Sequence, residues 1–228
     1  MNIDKNFLII IEPTHPHHTV ISSTFNTKNT SEALSSYQTY DYVIDLTILT
    51  TKKKLALLKE LTRTTRAPII SELTCCFQEK VFLTYPQVIA SLSTFFHSPT
   101  SSFEYFIPLH NSMAQKDLLI EIIDQFYKKI KFNPIHSQSI EFTFTMPRIV
   151  SQIINEAFFA LEENLSTPEG IDLAMVNGVN YPIGPLLWAK KTGIKNIQTI
   201  LEELYKYTKD NRYRPSLHLV KATLKKEY

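Results

Sequence analysis

No glycine occurs before Gly170 in this chain of 228 residues, and the only four are Gly170, Gly178, Gly184 and Gly193. That vacancy restricts what the first three quarters of the chain can build. A turn that lays backbone amides against a phosphate, whether Gly-x-Gly-x-x-Gly or a Walker-type loop, needs residues that take positive φ and carry no Cβ. Residues 1–169 cannot supply one. The chain nevertheless opens as such folds do. Residues Phe7 to Ile11 read as a buried strand, and the turn after it is filled by Pro13, Pro16, His15, His17 and His18.

Beyond that turn, short β-branched and aromatic runs alternate with amphipathic stretches. Residues 42–48, 68–71 and 88–93 read as further strands. Lys52 to Arg63, with Leu55, Leu57, Leu58 and Leu61, reads as a helix, as do residues 117–130 with Leu118, Ile122, Ile123 and Phe126. Strand and helix in alternation predict a parallel sheet with helical crossovers. After Pro147 the pattern is helical throughout: Ile149, Val150, Ile153, Ile154, Ala157, Phe158 and Leu161 mark one face, and Thr167-Pro168-Glu169 is a helix start. The expectation is α/β plus all-α: a Rossmann-like parallel-sheet domain over residues 1–145 and a helical domain over 146–228, with the boundary near 144–148. From Phe7 to Tyr42 there are too few residues for a usual second strand and its long helix, so the first domain is expected to be shortened.

Composition narrows the partners. The 24 basic and 22 acidic residues are dispersed and leave a net charge of +2, which argues for neither nucleic acid nor a membrane surface. No run approaches the ~18 apolar residues of a membrane span, and no secretory leader is legible, so a cytoplasmic protein is expected. Cys75 and Cys76 are adjacent and poorly placed to bridge, which fits a reducing compartment and packed thiols rather than a redox pair. His15, His17 and His18 offer imidazoles at close spacing, but an extended segment puts His15 and His17 on one side and His18 on the other. Zinc would need further ligands that nothing nearby nominates, so a solvated loop is the expectation and a metal the alternative.

The second half carries a resemblance. Arg148, Asn155-Glu156-Ala157, Ile171-Asp172-Leu173-Ala174-Met175, Gly178 to Pro185 and Arg212 to Pro215 stand in a set order and spacing. This pattern resembles the C-terminal helical domain of the 3-hydroxyacyl-CoA dehydrogenase family. In the first half, Tyr40 to Leu61, Pro68 to Phe77 and Ser93 to Leu109 resemble that family's Asp-x-Val-Ile-Glu, Ser-Asn-Thr-Ser-Ser-Leu and His-Phe-Phe-Asn-Pro segments.

The resemblance implies oxidation of an acyl-CoA 3-hydroxyl with NAD, in which a histidine takes the proton, a glutamate orients it, and serine and asparagine hold the oxygen. Here the histidine's place is held by Phe95, the glutamate's by Ile107 and the asparagine's by Pro147, while Thr74 keeps a hydroxyl at the serine's. His97 lies two residues from the expected base. The family's three glycines map onto Glu12, Thr14 and His17; Asp45 and Lys54 are the remnants of the cofactor-binding set, with Leu49 where an acidic residue is expected. These replacements lead to the expectation of a catalytically degenerate relative: no NAD bound in the usual way, a homodimer paired through the helical domain, and an acyl-CoA or related ligand as candidate partner. The competing expectation is an active NAD-dependent short-chain 3-hydroxyacyl-CoA dehydrogenase of fatty-acid or hydroxybutyrate metabolism, using a shifted His97 with Thr74. Leu186-Leu187-Trp188 and Lys190 replace the family's Phe-Glu-Leu and aspartate, and this stretch is expected to be buried in the dimer interface.

Overall fold

The computed structural model describes residues 5–36, 38–108, 111–138 and 142–225. In chain order the elements are β1 (Phe7–Ile10), α1 (His18–Thr24), β2 (Thr27–Lys28), α2 (Thr30–Leu34), β3 (Tyr42–Asp45), α3 (Thr51–Thr64), β4 (Ile69–Glu72), α4 (Gln78–Thr84) and β5 (Val88–Leu92). Next come β6 (Ser102–Phe106), α5 (Met113–Lys129), β7 (Asn133–His136), α6 (Thr145–Glu162), α7 (Pro168–Val179), α8 (Pro185–Thr192), α9 (Ile194–Thr208), a 3-10 turn at Asn211–Tyr213, and α10 (Leu217–Lys225). They make two units: residues up to Phe95 with Thr100–Phe144, and Phe96–Pro99 with the residues from Thr145 on. Among the described residues no helix is long and apolar enough to cross a membrane.

In the first unit the strands form one sheet in the order β2-β1-β3-β4-β5-β6-β7. Strands β2 to β5 run parallel, β6 is antiparallel to β5, and β7 is parallel to β6. The chain leaves β1 to build β2 on one side and then β3 on the other. The strand order therefore reverses between β1 and β3, where open α/β sheets form a crevice at their carboxyl ends. Alternation along β1 divides the core between two faces. Ile9 and Ile11 join Ile44, Phe103 and the α5 residues Ile122, Ile123 and Phe126. Leu8 and Ile10 join Val43 and the α3 residues Leu57, Leu58 and Leu61. Each such buried side chain is worth roughly 1.5–3 kcal/mol.

The second strand, not expected from the sequence, is present. β2 pairs Thr27 with Ile9 and Lys28 with Ile10, and α2 starts at once under a capping box of Asn29 and Glu32. Two strand residues carry no period to read, which is why the spacing between Phe7 and Tyr42 looked too short. Strands β6 and β7 and the short helices α1 and α4 also lie outside the sequence expectation. The glycine vacancy does not prevent reversals in this unit. Ser101 and Lys131 take positive φ, 52° and 61°, in place of glycine, at roughly 1–2 kcal/mol each.

In the second unit, α6 buries Val150, Ile154, Ala157 and Phe158, and α9 buries Ile197, Ile200, Leu201 and Leu204, each at helical spacing. Pro147 lies in the first turn of α6 rather than before the helix, where the missing N–H has no partner to lose. Thr167 Oγ1 accepts from Gly170 N at 3.1 Å and starts α7 as the Thr-Pro-Glu signal predicts.

Candidate functional site at the carboxyl edge of the sheet

At the exit of β1, His15 N donates to Glu12 O at 2.9 Å and His17 N to the His15 ring at 3.1 Å. The Glu12 carboxylate reaches the start of α2, where Oε1 accepts from Thr30 N at 3.0 Å and from Thr30 Oγ1 at 2.5 Å. Glu12, Thr14, His15, Thr47 and Leu49 are among the residues around a cavity of about 340 Å³. This cavity sits at the β1–β3 reversal, the expected ligand position for such a sheet. Among the described residues its lining contains no lysine or arginine.

Asp45 and Lys54 form a closed unit beside it. Lys54 is the one charged member of the buried stripe of α3, and Lys54 Nζ donates to Asp45 Oδ2 at 2.5 Å with both side chains fully buried. Ser71 Oγ donates to the same oxygen at 2.7 Å, while Thr47 N and Oγ1 donate to Asp45 Oδ1 at 3.0 and 2.6 Å. Lys54 also donates to Thr47 O and Thr47 Oγ1 at 2.8 and 2.9 Å. Two residues read as cofactor-binding remnants thus bind each other and tie β3, α3 and β4 together.

A second buried carboxylate, Glu72 at the end of β4, was missed from the sequence. Glu72 Oε1 accepts from Thr74 N at 2.8 Å, and Oε2 accepts from both Thr94 N and Thr94 Oγ1 at 2.5 Å. Burial raises its pKa, and the hydroxyls and amides of Thr74 and Thr94 oppose that rise. The Thr74 hydroxyl acts on this carboxylate electrostatically but completes no hydrogen bond of its own. It is fully buried.

His15 completes the chain. Its Nδ1 accepts from His17 N at 3.1 Å, so the neutral ring carries its proton on Nε2, which donates to Thr94 Oγ1 at 3.2 Å. Burial first, then the neighbouring His17 and His18, push its pKa down to about 3. His15 is 4% exposed and so departs from the solvated loop expected, although Pro13, Thr14 and Pro16 of the same turn are exposed. The His17 ring packs edge-on against Phe103 and Phe132. Among the described residues no three of histidine, cysteine, aspartate and glutamate come together to hold a metal ion. Cys75 and Cys76 are buried and form no disulfide.

Of the remaining positions, Phe95 and Ile107 are buried in the first unit. His97 belongs to the segment Phe96–Pro99 of the second unit. There α8 grips its backbone: His97 N donates to Thr192 Oγ1 at 3.2 Å, and Trp188 Nε1 donates to His97 O at 2.7 Å. Burial, then Lys191, lower the pKa of the His97 ring, favouring the neutral imidazole. The expectation that the Leu186–Trp188 stretch faces a partner is corrected. Leu186, Trp188 and Ala189 are buried in the chain's own fold, and of Leu186–Ala189 only Leu187 is exposed.

The recurrent residues of the helical unit hold structure. Asp172 Oδ1 and Oδ2 accept from Leu186 N and Leu187 N at 2.8 and 3.0 Å, capping α8. A Cβ on Gly184 would overlap Asp172 Cβ and Cγ, so glycine is required there. Asn155 Nδ2 donates to Arg214 O at 2.9 Å and its Oδ1 accepts from Ser216 N at 2.8 Å. Arg148 Nε donates to the Tyr213 hydroxyl at 2.8 Å.

A mostly parallel sheet with a crevice at its order reversal, joined in sequence to a helical unit built on these contacts, defines a Rossmann-like protein with a helical C-terminal domain. Residues 144–228 match the family model of the 3-hydroxyacyl-CoA dehydrogenase C-terminal domain. Over this domain, a little over a third of the chain, the protein is similar to the 3-hydroxyacyl-CoA dehydrogenase family. It is similar to 3-hydroxyadipyl-CoA dehydrogenase of Escherichia coli K12, 44% identical over 82 residues that make 36% of this chain and 17% of that one. It is also similar to 3-hydroxybutyryl-CoA dehydrogenase of Bradyrhizobium diazoefficiens, 32% identical over 115 residues, 50% of this chain and 39% of that one. The matched segments therefore span well under half of these curated relatives. Among solved structures, (S)-3-hydroxybutyryl-CoA dehydrogenase from Ralstonia eutropha shares the fold, with a TM-score of 0.63, 24% identity, and coverage of 88% of this chain and 70% of that one.

Proposed function

We propose that this chain is a 3-hydroxyacyl-CoA dehydrogenase-like protein that has left the dehydrogenase chemistry and acts in the cytoplasm as a homodimeric binding or scaffold protein, with an acyl-CoA or related ligand as its small-molecule partner. The observation that carries the reading is Glu12. A dinucleotide needs amide donors and a favourable field at the strand exit. Here a carboxylate takes the Thr30 amide and hydroxyl and presents negative charge to the same cavity. These residues do not suit a pyrophosphate, and among the described residues no lysine or arginine lines the cavity to compensate.

The loss of the acid–base set supports the same reading. Phe95 and Ile107 offer hydrocarbon where a proton acceptor and its orienting carboxylate are required. Pro147 has no side-chain amide. The nearest imidazole in sequence, His97, has its backbone bound to α8 on both sides, which opposes a slide into another register. Meanwhile the residues that the family pattern retains, Asp172, Gly184, Asn155 and Arg148, serve the fold of the helical unit. The deciding measurement is calorimetry with NADH, for which no saturable heat is expected. Stoichiometric NADH binding, or NADH consumption with acetoacetyl-CoA that disappears in His97→Ala, would sink the proposal in favour of the active dehydrogenase.

The homodimer has its own support in α7, which buries none of its residues in the chain's own fold. Leu173 and Val179 are 63% and 60% exposed, and Leu165 just before the helix is 70% exposed. Apolar side chains grouped this way are the mark of an interface. Leu173→Asp combined with Val176→Asp is expected to halve the mass measured by sedimentation while leaving the helical circular dichroism in place. An unchanged mass removes α7 from the interface. The near-even charge supports neither nucleic acid nor a membrane as partner.

A further inference from the structure

Away from the crevice, on the α5 face of the sheet at the start of β1, lies a second cavity of about 250 Å³. It exists because α1 is short. Seven residues of α1 cover about 10 Å of the sheet, whereas the seventeen of α5 on the same face run about 25 Å. The strand starts left uncovered are walled by aromatic pairs: Phe7 stacks on Tyr42 at 5.8 Å, and Phe25 on Phe126 at 5.2 Å. Ile9, Ile44 and Ile122 line the interior.

The rim carries the second observation. Lys5 and Lys129 stand at the cavity, both exposed, and among the described residues no carboxylate lines it. Among the described residues neither lysine forms an ion pair. Lys129 Nζ rests 5.6 Å above the Phe25 ring, at the boundary between the charged rim and the apolar interior. An apolar body with one anionic end matches this arrangement, because the rings and isoleucines exclude water from the body while two ammonium groups meet the head. At roughly 30 Å³ for a water-sized unit, the space takes a body of about eight heavy atoms.

The geometry points to a binding site for a medium-chain fatty carboxylate in this cavity, with its head between Lys5 and Lys129. The site goes beyond the function proposed above and shares no residue with the Glu12 cavity, so its success or failure is independent of NADH binding. The test is calorimetric titration of the full chain with octanoate and, separately, with 1-octanol. Octanoate is expected to bind once per chain and more tightly than 1-octanol. The double variant Lys5→Glu, Lys129→Glu is expected to weaken octanoate at least tenfold with an unchanged circular dichroism spectrum, since both side chains lie in solvent. Gln125→Trp, which places an indole at the cavity, is expected to abolish binding of both ligands. Absence of saturable octanoate binding, equal affinity for octanoate and 1-octanol, or full affinity in either variant would overturn the site.

Discussion

Replacing Lys54 with methionine is expected to destabilise the protein by roughly 3–5 kcal/mol, a large share of the stability of an ordinary domain. The size reflects what the substitution leaves behind. Asp45 is fully buried, and the ammonium 2.5 Å away is its only charged partner among the described residues. Ser71 and Thr47 would still donate to the carboxylate, but neutral donors do not balance a full charge removed from water. Lys54 also satisfies Thr47 O, so its loss leaves a buried carbonyl short of a donor. Urea unfolding monitored by circular dichroism reads the change directly. Adding Asp45→Asn to Lys54→Met is expected to recover part of the loss, since an amide tolerates burial better than an unpaired carboxylate. A single variant within about 0.5 kcal/mol of the parent would show that the pair is not held as described.

The second large effect is on acid stability. The His15 pKa falls from 6.5 to about 3 in the folded protein. A folded-state pKa below the unfolded one means that the unfolded chain binds the extra proton between those values. Stability contributed by neutral His15 is therefore present above pH 6.5 and is lost as the pH falls toward 3. At about 1.4 kcal/mol for each pH unit, the loss amounts to a few kcal/mol. Protonation would also break the accepting hydrogen bond at Nδ1 from His17 N. Glu72 acts in the opposite sense: burial raises its pKa, so adding acid relieves the cost of its buried charge. His15→Gln is expected to flatten the fall in urea midpoint between pH 6.5 and 4, and Glu72→Gln to steepen it. Parallel curves for His15→Gln and the parent would contradict a buried neutral histidine.

Much of the fold was legible because hydrophobic period survives in long elements. α3 buries Leu57, Leu58 and Leu61 and α6 buries Val150, Ile154, Ala157 and Phe158 as their spacing predicts, although Ile149 of the same expected face is 52% exposed, and the four sequence-predicted strands are present as β1, β3, β4 and β5. The short elements β2, α1 and α4 were not legible, because two to seven residues give too few repeats for a period. β7 shows why alternation alone is weak at a sheet margin: Asn133–His136 has no buried residue in its pattern.

The candidate site divides the same way. Asp45 and Lys54 were visible as charged residues in apolar surroundings, but their pairing needs α3 to bring residue 54 back over the end of β3. Glu72 went unnoticed although a carboxylate at the end of Ile69-Ile70-Ser71 in a buried run is a readable oddity. Its partner Thr94 is 22 residues away in sequence, and the link from Thr94 to His15 spans 79. The solvated loop expected after β1 holds for Pro13, Thr14 and Pro16, which are exposed, but not for His15, whose buried ring reaches a hydroxyl on a distant strand exit.

By itself the sequence determined that no glycine turn exists before Gly170, that strands and helices alternate ahead of a helical second half, and which hydroxyl, imidazole and carboxylate side chains are present or missing. These are matters of local backbone freedom and residue chemistry, which neighbours within a few positions decide. Only the tertiary structure decided that Glu12 turns onto Thr30, that Lys54 neutralises Asp45 out of water, and that His15, Thr94 and Glu72 join into one buried chain. Those outcomes depend on sheet order and burial, where a hydrogen bond or charge pair between residues far apart in sequence is set by the cost of leaving a polar group dry and without a partner.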